Sequence, residues 1–446
     1  MQTSHSGVVR PSPQRVAMAS LIGTAVEWYD FFLFGICAAL VFPKVFFPET
    51  DAATALLASF ATFGVAFIAR PLGAVFFGHL GDTIGRKSAL VTTLLLMGIA
   101  TCLIGVVPGY ETAGFWGPVL LVVLRLCQGF AIGGEWGGAA LMAIEHSPSG
   151  KRGLYGVFSQ IGNPIGFFLC NAVLQVVIFC TSEEAFLSWG WRIGFLMSSV
   201  LVIIGLYVRL NITDAPVFTE AKAIEPAVRR IPVAALFRDH WGILLRTVCL
   251  QAAFSVGSYA LISFYGAYTQ RTLGMPSSWV LISGMAGAIV SLPFYFYFAR
   301  LSDRIGRRGV YVIGICSWLL VAFPFYWLIN TGTIWGVILA SALAWGFGHA
   351  GTYAVQSSYL SESFPTEIRY TAISISYQMA SVLWSAPSSF VAVWLFTRTG
   401  SIYAVSAFVA VAALLSLVSL ATMRETYKAD LRRVGIPQPE NISAGG

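Results

Sequence analysis

A few ionisable side chains stand inside otherwise apolar stretches of this chain. Glu27 and Asp30 are three residues apart and share one face if the stretch is helical. Arg70, Arg125 and Glu135 lie in other apolar stretches. Charge in such surroundings is costly, so each residue is read as functional and needs a named partner. A buried carboxylate can hold or release a proton according to whether a cation stands beside it. An Arg offers a planar fork to a carboxylate. A substrate carboxylate that took over the Arg would let the acid protonate. On this logic Asp30 and Glu135 are the proton carriers, with Glu27 a third candidate, and Asp30 or Glu135 is expected to pair with Arg125 or Arg70. Arg125 is the expected substrate anchor, with Arg70 a second. The other reading is a permanent ion pair that fixes helix packing, and it applies most to Glu27 and Arg70.

The later part of the chain is different. His349 is the one ionisable residue clearly inside an apolar stretch there, apart from Cys and Tyr, and its neighbours Gly346, Phe347, Gly348, Ala350 and Gly351 favour a packing role. Neutral donors and aromatic surfaces take the place of charge: Gln251, Tyr259, Tyr265, Gln356, Tyr377, Gln378 and Trp384. The expected substrate contacts are therefore Arg125, Arg70, Gln128, Trp136, Tyr259, Gln356 and Tyr377. Trp28, Tyr29 and Trp136 are read as lining a cavity or as packing. Gly129, Gly133, Gly134, Gly137 and Gly138 permit close helix approach, and Gly162-Asn163-Pro164-Ile165-Gly166 supplies a possible bend.

Composition identifies the elements that position these residues. The 446 residues are 57% hydrophobic and 11% charged, with mean hydropathy +0.75. A soluble domain carries about 25% charged residues, so an all-α integral membrane protein is expected. At about 20 apolar residues per span there are twelve candidates: 16–42, 56–80, 88–107, 118–144, 154–180, 189–209, 242–270, 279–299, 309–330, 333–360, 370–396 and 400–423. The polar stretch from Leu210 to Trp241 separates six from six. It divides the chain into residues 1–209, a linker at 210–241, and 242–446. With both termini cytoplasmic, inner segments hold 21 of the 27 Lys and Arg residues and outer loops hold Lys44, Arg271 and Arg398, so the positive-inside rule sets the orientation. This topology accounts for the net charge of +7 without a nucleic-acid partner. Residues 1–15 show no cleavable signal, and the sequons at Asn211 and Asn441 fall on the cytoplasmic side. The seven cysteines read as small buried hydrophobes, and no metal site or cofactor is implied.

The two sets of six spans repeat a pattern. Gly78-His79-Leu80-Gly81-Asp82-Thr83-Ile84-Gly85-Arg86-Lys87 returns as Ala299-Arg300-Leu301-Ser302-Asp303-Arg304-Ile305-Gly306-Arg307-Arg308. Each is read as a hydrophilic loop, with Gly81, Gly85 and Gly306 supplying positive φ. Asp82 and Asp303 are placed to cap a helix or pair with a base. Glu145 to Gly153 is echoed by Glu362 to Arg369. In both, an acid ends one helix and a base opens the next, against the helix dipole, so their partners are expected on other helices.

These loops, with twelve spans divided six and six, resemble the major facilitator superfamily. Glu27-Trp28-Tyr29-Asp30-Phe31, Arg70-Pro71-Leu72-Gly73, Arg125-Leu126-Cys127-Gln128-Gly129 and Gly133-Gly134-Glu135-Trp136-Gly137-Gly138 are similar to its metabolite:proton symporter family. Gly134 to Ala140 and Leu187 to Ile193 are most similar to the shikimate-type branch. Thr83 departs from the Arg usual in the first loop, while Arg304 keeps it. The resemblance implies two pseudo-symmetric six-helix halves that rock about a midplane site. It also implies proton-coupled uptake of shikimate or a related carboxylate, or else of proline or betaine. Asp82, Arg86, Glu145, Arg152, Asp303, Arg307, Glu362 and Arg369 would form the cytoplasmic gate. A monomer in the cell membrane of a prokaryote, in contact with lipid, is expected. Export is the alternative within the same fold. An enzyme is disfavoured because the five histidines are scattered, and a channel because no filter-like loop is visible.

Overall fold

The computed structural model describes residues 12–211 and 232–429. Among the described residues twelve helices are long and apolar enough to cross a membrane: α1 Pro13–Leu40, α2 Thr54–Thr83, α3 Arg86–Ile104, α4 Trp116–Glu145, α5 Arg152–Cys180, α6 Glu183–Leu210, α7 Trp241–Arg271, α8 Ser278–Ile305, α9 Arg307–Ile329, α10 Ile334–Ser363, α11 Arg369–Thr399 and α12 Tyr403–Ala421. Helices satisfy their own backbone polar groups, which is what a hydrocarbon surround demands. Their outer faces carry exposed Leu57, Ile68, Phe179, Leu320 and Val411, side chains suited to lipid.

The packing repeats. In the first six helices α2 lies on α4, α1 on α5 and α3 on α6; in the second six α8 lies on α10, α7 on α11 and α9 on α12. Contact between the two sets runs through α2 with α11, α5 with α8 and α10, and α4 with α10 and α11. The close fit of α4 on α2 needs the absence of a side chain. A Cβ on Gly133 would stand 2.6 Å from the backbone nitrogen of Ala74.

The two repeated motifs are shorter as loops than the sequence suggests. α2 remains helical through Thr83 and α8 through Ile305, and the chain reverses at Gly85 (φ 154°) and Gly306 (φ 99°). Gly81 does not supply positive φ; it is helical, and the Tyr370 ring packs where its Cβ would be. Polar residues at a helix end look like a loop in sequence. Here they stay helical because their polar groups are satisfied by the facing helix.

The expected linker includes a helix at Pro232–Asp239; its other basic residues Lys222, Arg229 and Arg230 lie outside the described residues, as do residues 1–11 and the sequon at Asn441. Cys180 departs from the expected burial and is exposed. Four single π-helical turns interrupt the long helices, at Phe186–Gly190 in α6, Tyr259–Ser263 in α7, Ala344–His349 in α10 and Ser381–Ser385 in α11.

Candidate functional site

A cleft lies between the two sets of helices, level with Arg70 near the middle of α2. It is lined from α1, α2 and α5 by Trp28, Phe31, Phe32, Arg70 and Asn163. From α7, α10 and α11 come Gln251, Phe254, Tyr259, His349, Tyr377 and Ser381, among others. Three of the four π turns supply part of this lining, in line with the frequent placement of such turns at functional sites.

The cleft contains a cation and no carboxylate among its lining residues. Arg70 is 5% exposed and sits 4.5 Å from the Phe67 ring and 4.9 Å from the Phe31 ring. Among the described residues its side chain makes one hydrogen bond, a long one from Nη1 to Ser381 Oγ at 3.4 Å, and Nε has no partner. Trp28 Nε1, Asn163 Oδ1, Ser258 Oγ and Trp345 Nε1 are also buried without a partner among the described residues, and all belong to lining residues. Buried polar groups are normally satisfied. A set of unused ones around one cavity is what a polar ligand would complete.

Of the expected substrate contacts, Arg70, Tyr259 and Tyr377 line the cleft; Arg125, Gln128, Trp136 and Gln356 do not. Arg125 is fully buried, with its guanidinium 4.1 Å from the Phe34 ring. Its Nη1 donates to Gln128 Oε1 at 3.0 Å. Gln128 Nε2 reaches Thr101 Oγ1 at 2.6 Å, and Thr101 donates to Asp30 Oδ2 at 2.8 Å. Ser198 holds the other Asp30 oxygen at 2.7 Å. Asp30 and Arg125 are thus linked through two neutral side chains, without a direct ion pair. Trp136 is buried under the cleft, stacked on Tyr377 at 4.0 Å and bonded to Gln160 Oε1 at 2.9 Å. Gln356 supports the lining residue Gln251 by donating to its Oε1 at 2.8 Å. His349 lines the cleft as well as packing: its Nδ1 bonds Tyr295 Oη at 2.7 Å. Trp28 faces the cleft, whereas Tyr29 is turned away and donates to the Gly194 carbonyl.

Glu135 corrects the expected pairing. Its partner is neither Arg125 nor Arg70 but Arg209, near the end of α6, through both guanidinium nitrogens. Glu27 is 4% exposed, with Oε2 unpartnered. Arg209 was legible only as a basic residue ending a span, which reads as a topological anchor; no spacing ties it to Glu135.

Towards the end that carries the Gly85 and Gly306 turns, the basic end, the helices close. Asp82 accepts from the Tyr370 and Thr371 backbone N–H groups at 3.1 and 2.9 Å, at the start of α11. Asp303 accepts in the same way from Gly153 and Leu154 at 2.8 and 2.9 Å, at the start of α5. Each Asp also pairs with the Arg four residues on, Arg86 or Arg307, at 2.8 Å. The unfavourable helix-end acids find their cations on other helices, as their dipole mismatch implied. Glu145 lies 3.6 Å from Arg86 and 3.5 Å from Arg369. Glu362 lies 2.9 Å from Arg307 and 3.6 Å from Arg152. All eight residues expected in the gate meet in these two clusters, and each cluster joins the first six helices to the second six. The second is further tied by the segment after α12: Glu425 caps the Arg307 and Arg308 N–H groups, each at 2.9 Å, and Thr426 donates to Glu362 at 2.7 Å.

A family model described as the Major Facilitator Superfamily matches residues 21–389 and 284–438. The chain is 38% identical over 418 residues to a shikimate transporter of Escherichia coli (strain K12), covering 93% of this chain and 95% of that one. It is 34% identical over 430 residues to a proline/betaine transporter of the same organism, covering 94% and 85%. Among solved structures it is similar to the proton:xylose symporter XylE bound to 6-bromo-6-deoxy-D-glucose. That match has TM-score 0.76 and 16% identity, over 95% of this chain and 98% of the other.

Proposed function

On the premise that the chain belongs to the Major Facilitator Superfamily, whose members are membrane transporters, we propose that it takes up a small organic acid together with protons. One observation carries this reading. The cleft holds an Arg without an ion-pair partner among the described residues, no lining carboxylate, and several unused polar groups, while the basic end beneath it is sealed. By the positive-inside rule the basic end is the cytoplasmic one, and the two clusters there are read as its closed gate.

Arg70 forks the substrate carboxylate, and Asn163, Ser258 and the Trp28 indole meet its remaining polar groups. Asp30 and Glu135 carry the proton, and Glu27, unpaired beside them, is a third station. Gln128 and Arg125 act on Asp30 through Thr101 rather than on substrate. Substrate and proton together let the two clusters at the basic end part, and the halves rock about the cleft. One chain supplies the whole cleft, which suits a monomer in the cell membrane.

The aromatic lining supports a second reading. Trp28, Phe31, Phe32, Phe254, Tyr259 and Tyr377 suit the cation of a carboxylate-bearing quaternary amine. The deciding experiment is uptake by expressing cells of labelled shikimate, 2-oxoglutarate, citrate, proline and betaine, with and without a protonophore. Uptake of an acid that collapses with protonophore is expected. Betaine uptake in its place selects the second reading, and efflux or no transport removes both.

A further inference from the structure

Glu135 and Arg209 form a site separate from the cleft. Arg209 Nη1 donates to Glu135 Oε2 at 2.9 Å, and Nη2 contacts Oε1. Thr93 Oγ1 adds a bond to Oε2 at 2.6 Å, and Arg209 Nη1 also reaches the Leu90 carbonyl at 2.7 Å. Glu135 is 1% and Arg209 4% exposed. Helix α1 makes room for them at Gly23, where a Cβ would stand 3.0 Å from Glu135 Oε1. Replacing such a pair by apolar side chains is often neutral or stabilising, so packing alone gives little reason to keep it.

The surroundings give it a direction. Arg209 forms one wall of a small pocket lined by Val16, Ala19, Ser20, Lys87, Leu90 and Met142. Lys87 belongs to the turn motif, so the pocket lies at the basic end. On the other side, Tyr370 of α11 donates to the carbonyl of Gly134, the residue next to Glu135, at 2.9 Å. Tyr370 follows Arg369 of the seal, so the pair lies directly behind it. On the cleft side Trp136, the residue after Glu135, is fully buried and stacked on the lining residue Tyr377. The titratable groups around the pair are Glu27, one turn on from Gly23 in α1, Lys87 of α3 and Tyr370 of α11.

We infer that Arg209 is a positioning counter-ion for the proton site. It holds Glu135 as the carboxylate while the basic end is sealed, and Glu135 passes its proton to solvent on the basic side, beside this pair, rather than back through the cleft. The step moves one proton from the Glu135 carboxyl to water and leaves the carboxylate that Arg209 and Thr93 bind. The inference rests on the proton-coupled reading, and its test is built to fail separately from it.

One arm needs no substrate. In the purified full-length protein at neutral pH, Arg209→Gln leaves a buried carboxylate without its cation, so the acid keeps its proton. Infrared spectroscopy is expected to show a protonated-carboxyl C=O band in this variant that wild type lacks and that vanishes in Arg209→Gln/Glu135→Gln. No new band, or one that survives in the double variant, overturns the inference. The other arm uses proteoliposomes and labelled shikimate. Arg209→Gln should lose accumulation driven by a pH gradient by about tenfold or more, while exchange of internal for external shikimate stays within about threefold. Arg209→Lys should restore accumulation. A parallel loss of accumulation and exchange would mark a pair that merely holds the helices and overturns the proposal. If wild type accumulates no shikimate, shikimate is removed as the substrate, and the infrared arm still decides the role of Arg209.

Discussion

The two six-helix halves share one packing plan and divide the chemistry unequally. The first half holds Glu27, Asp30, Arg70, Arg125 and Glu135 at membrane depth, and its lining helices α1, α2 and α5 run without a π turn. The second half brings to the cleft one His and a set of neutral and aromatic side chains. All three of its lining helices carry a π turn at the cleft. A π turn inserts an extra residue into the helix and re-aims the side chains around it. The contrast teaches that charge and shape are handled by different elements. The half that carries the buried charges lines the cleft with helices free of π turns, its own π turn lying in α6 outside the lining, and the other half breaks each of its lining helices with one.

This comparison can be broken. Its largest expected effect is at Asp30, which Thr101 and Ser198 hold directly. Asp30→Asn should abolish accumulation against a gradient, about a hundredfold or more, while exchange across the membrane survives. Accumulation to the wild-type level would remove Asp30 as an obligatory carrier. The smallest expected effect is at His349, which lines the cleft but bonds Tyr295. His349→Gln removes a titratable group and keeps a hydrogen-bonding side chain. It should change substrate affinity by only about threefold and leave the pH dependence of uptake in place. If His349→Gln erased the pH drive, the second half would share the proton chemistry and the division would fail.

The twelve spans and their repeat were readable because membrane depth demands long apolar runs, and two copies of an Asp, Gly and base pattern mark equivalent points. The roles of Asp82 and Asp303 as helix caps followed from residue type, and the crossed partners of Glu145 and Glu362 from their misfit with the dipole. Which way a side chain faces was not readable. Arg70 and Arg125 are the same residue type in two apolar runs, yet one lines the cleft and the other is stacked on Phe34 outside the lining. Glu135 was matched to the wrong bases because its true partner, Arg209, looked like a span-end anchor. The π turns leave no pattern, since one extra residue in an apolar helix preserves its composition. The loop at Gly78 to Lys87 was drawn too long because a helix end buried against another helix can carry as many polar residues as a turn.

The central claim is that a substrate carboxylate binds Arg70 in the cleft. It is tested most directly by the affinity of purified wild type, Arg70→Gln and Arg125→Gln for the acid that cells accumulate, each variant checked for folding. Arg70→Gln should weaken binding by about thirtyfold or more, the loss expected for a buried charge pair, and Arg125→Gln by only a few fold. Unchanged affinity in Arg70→Gln, with a large loss in Arg125→Gln, would contradict the account and move the anchor behind Phe31.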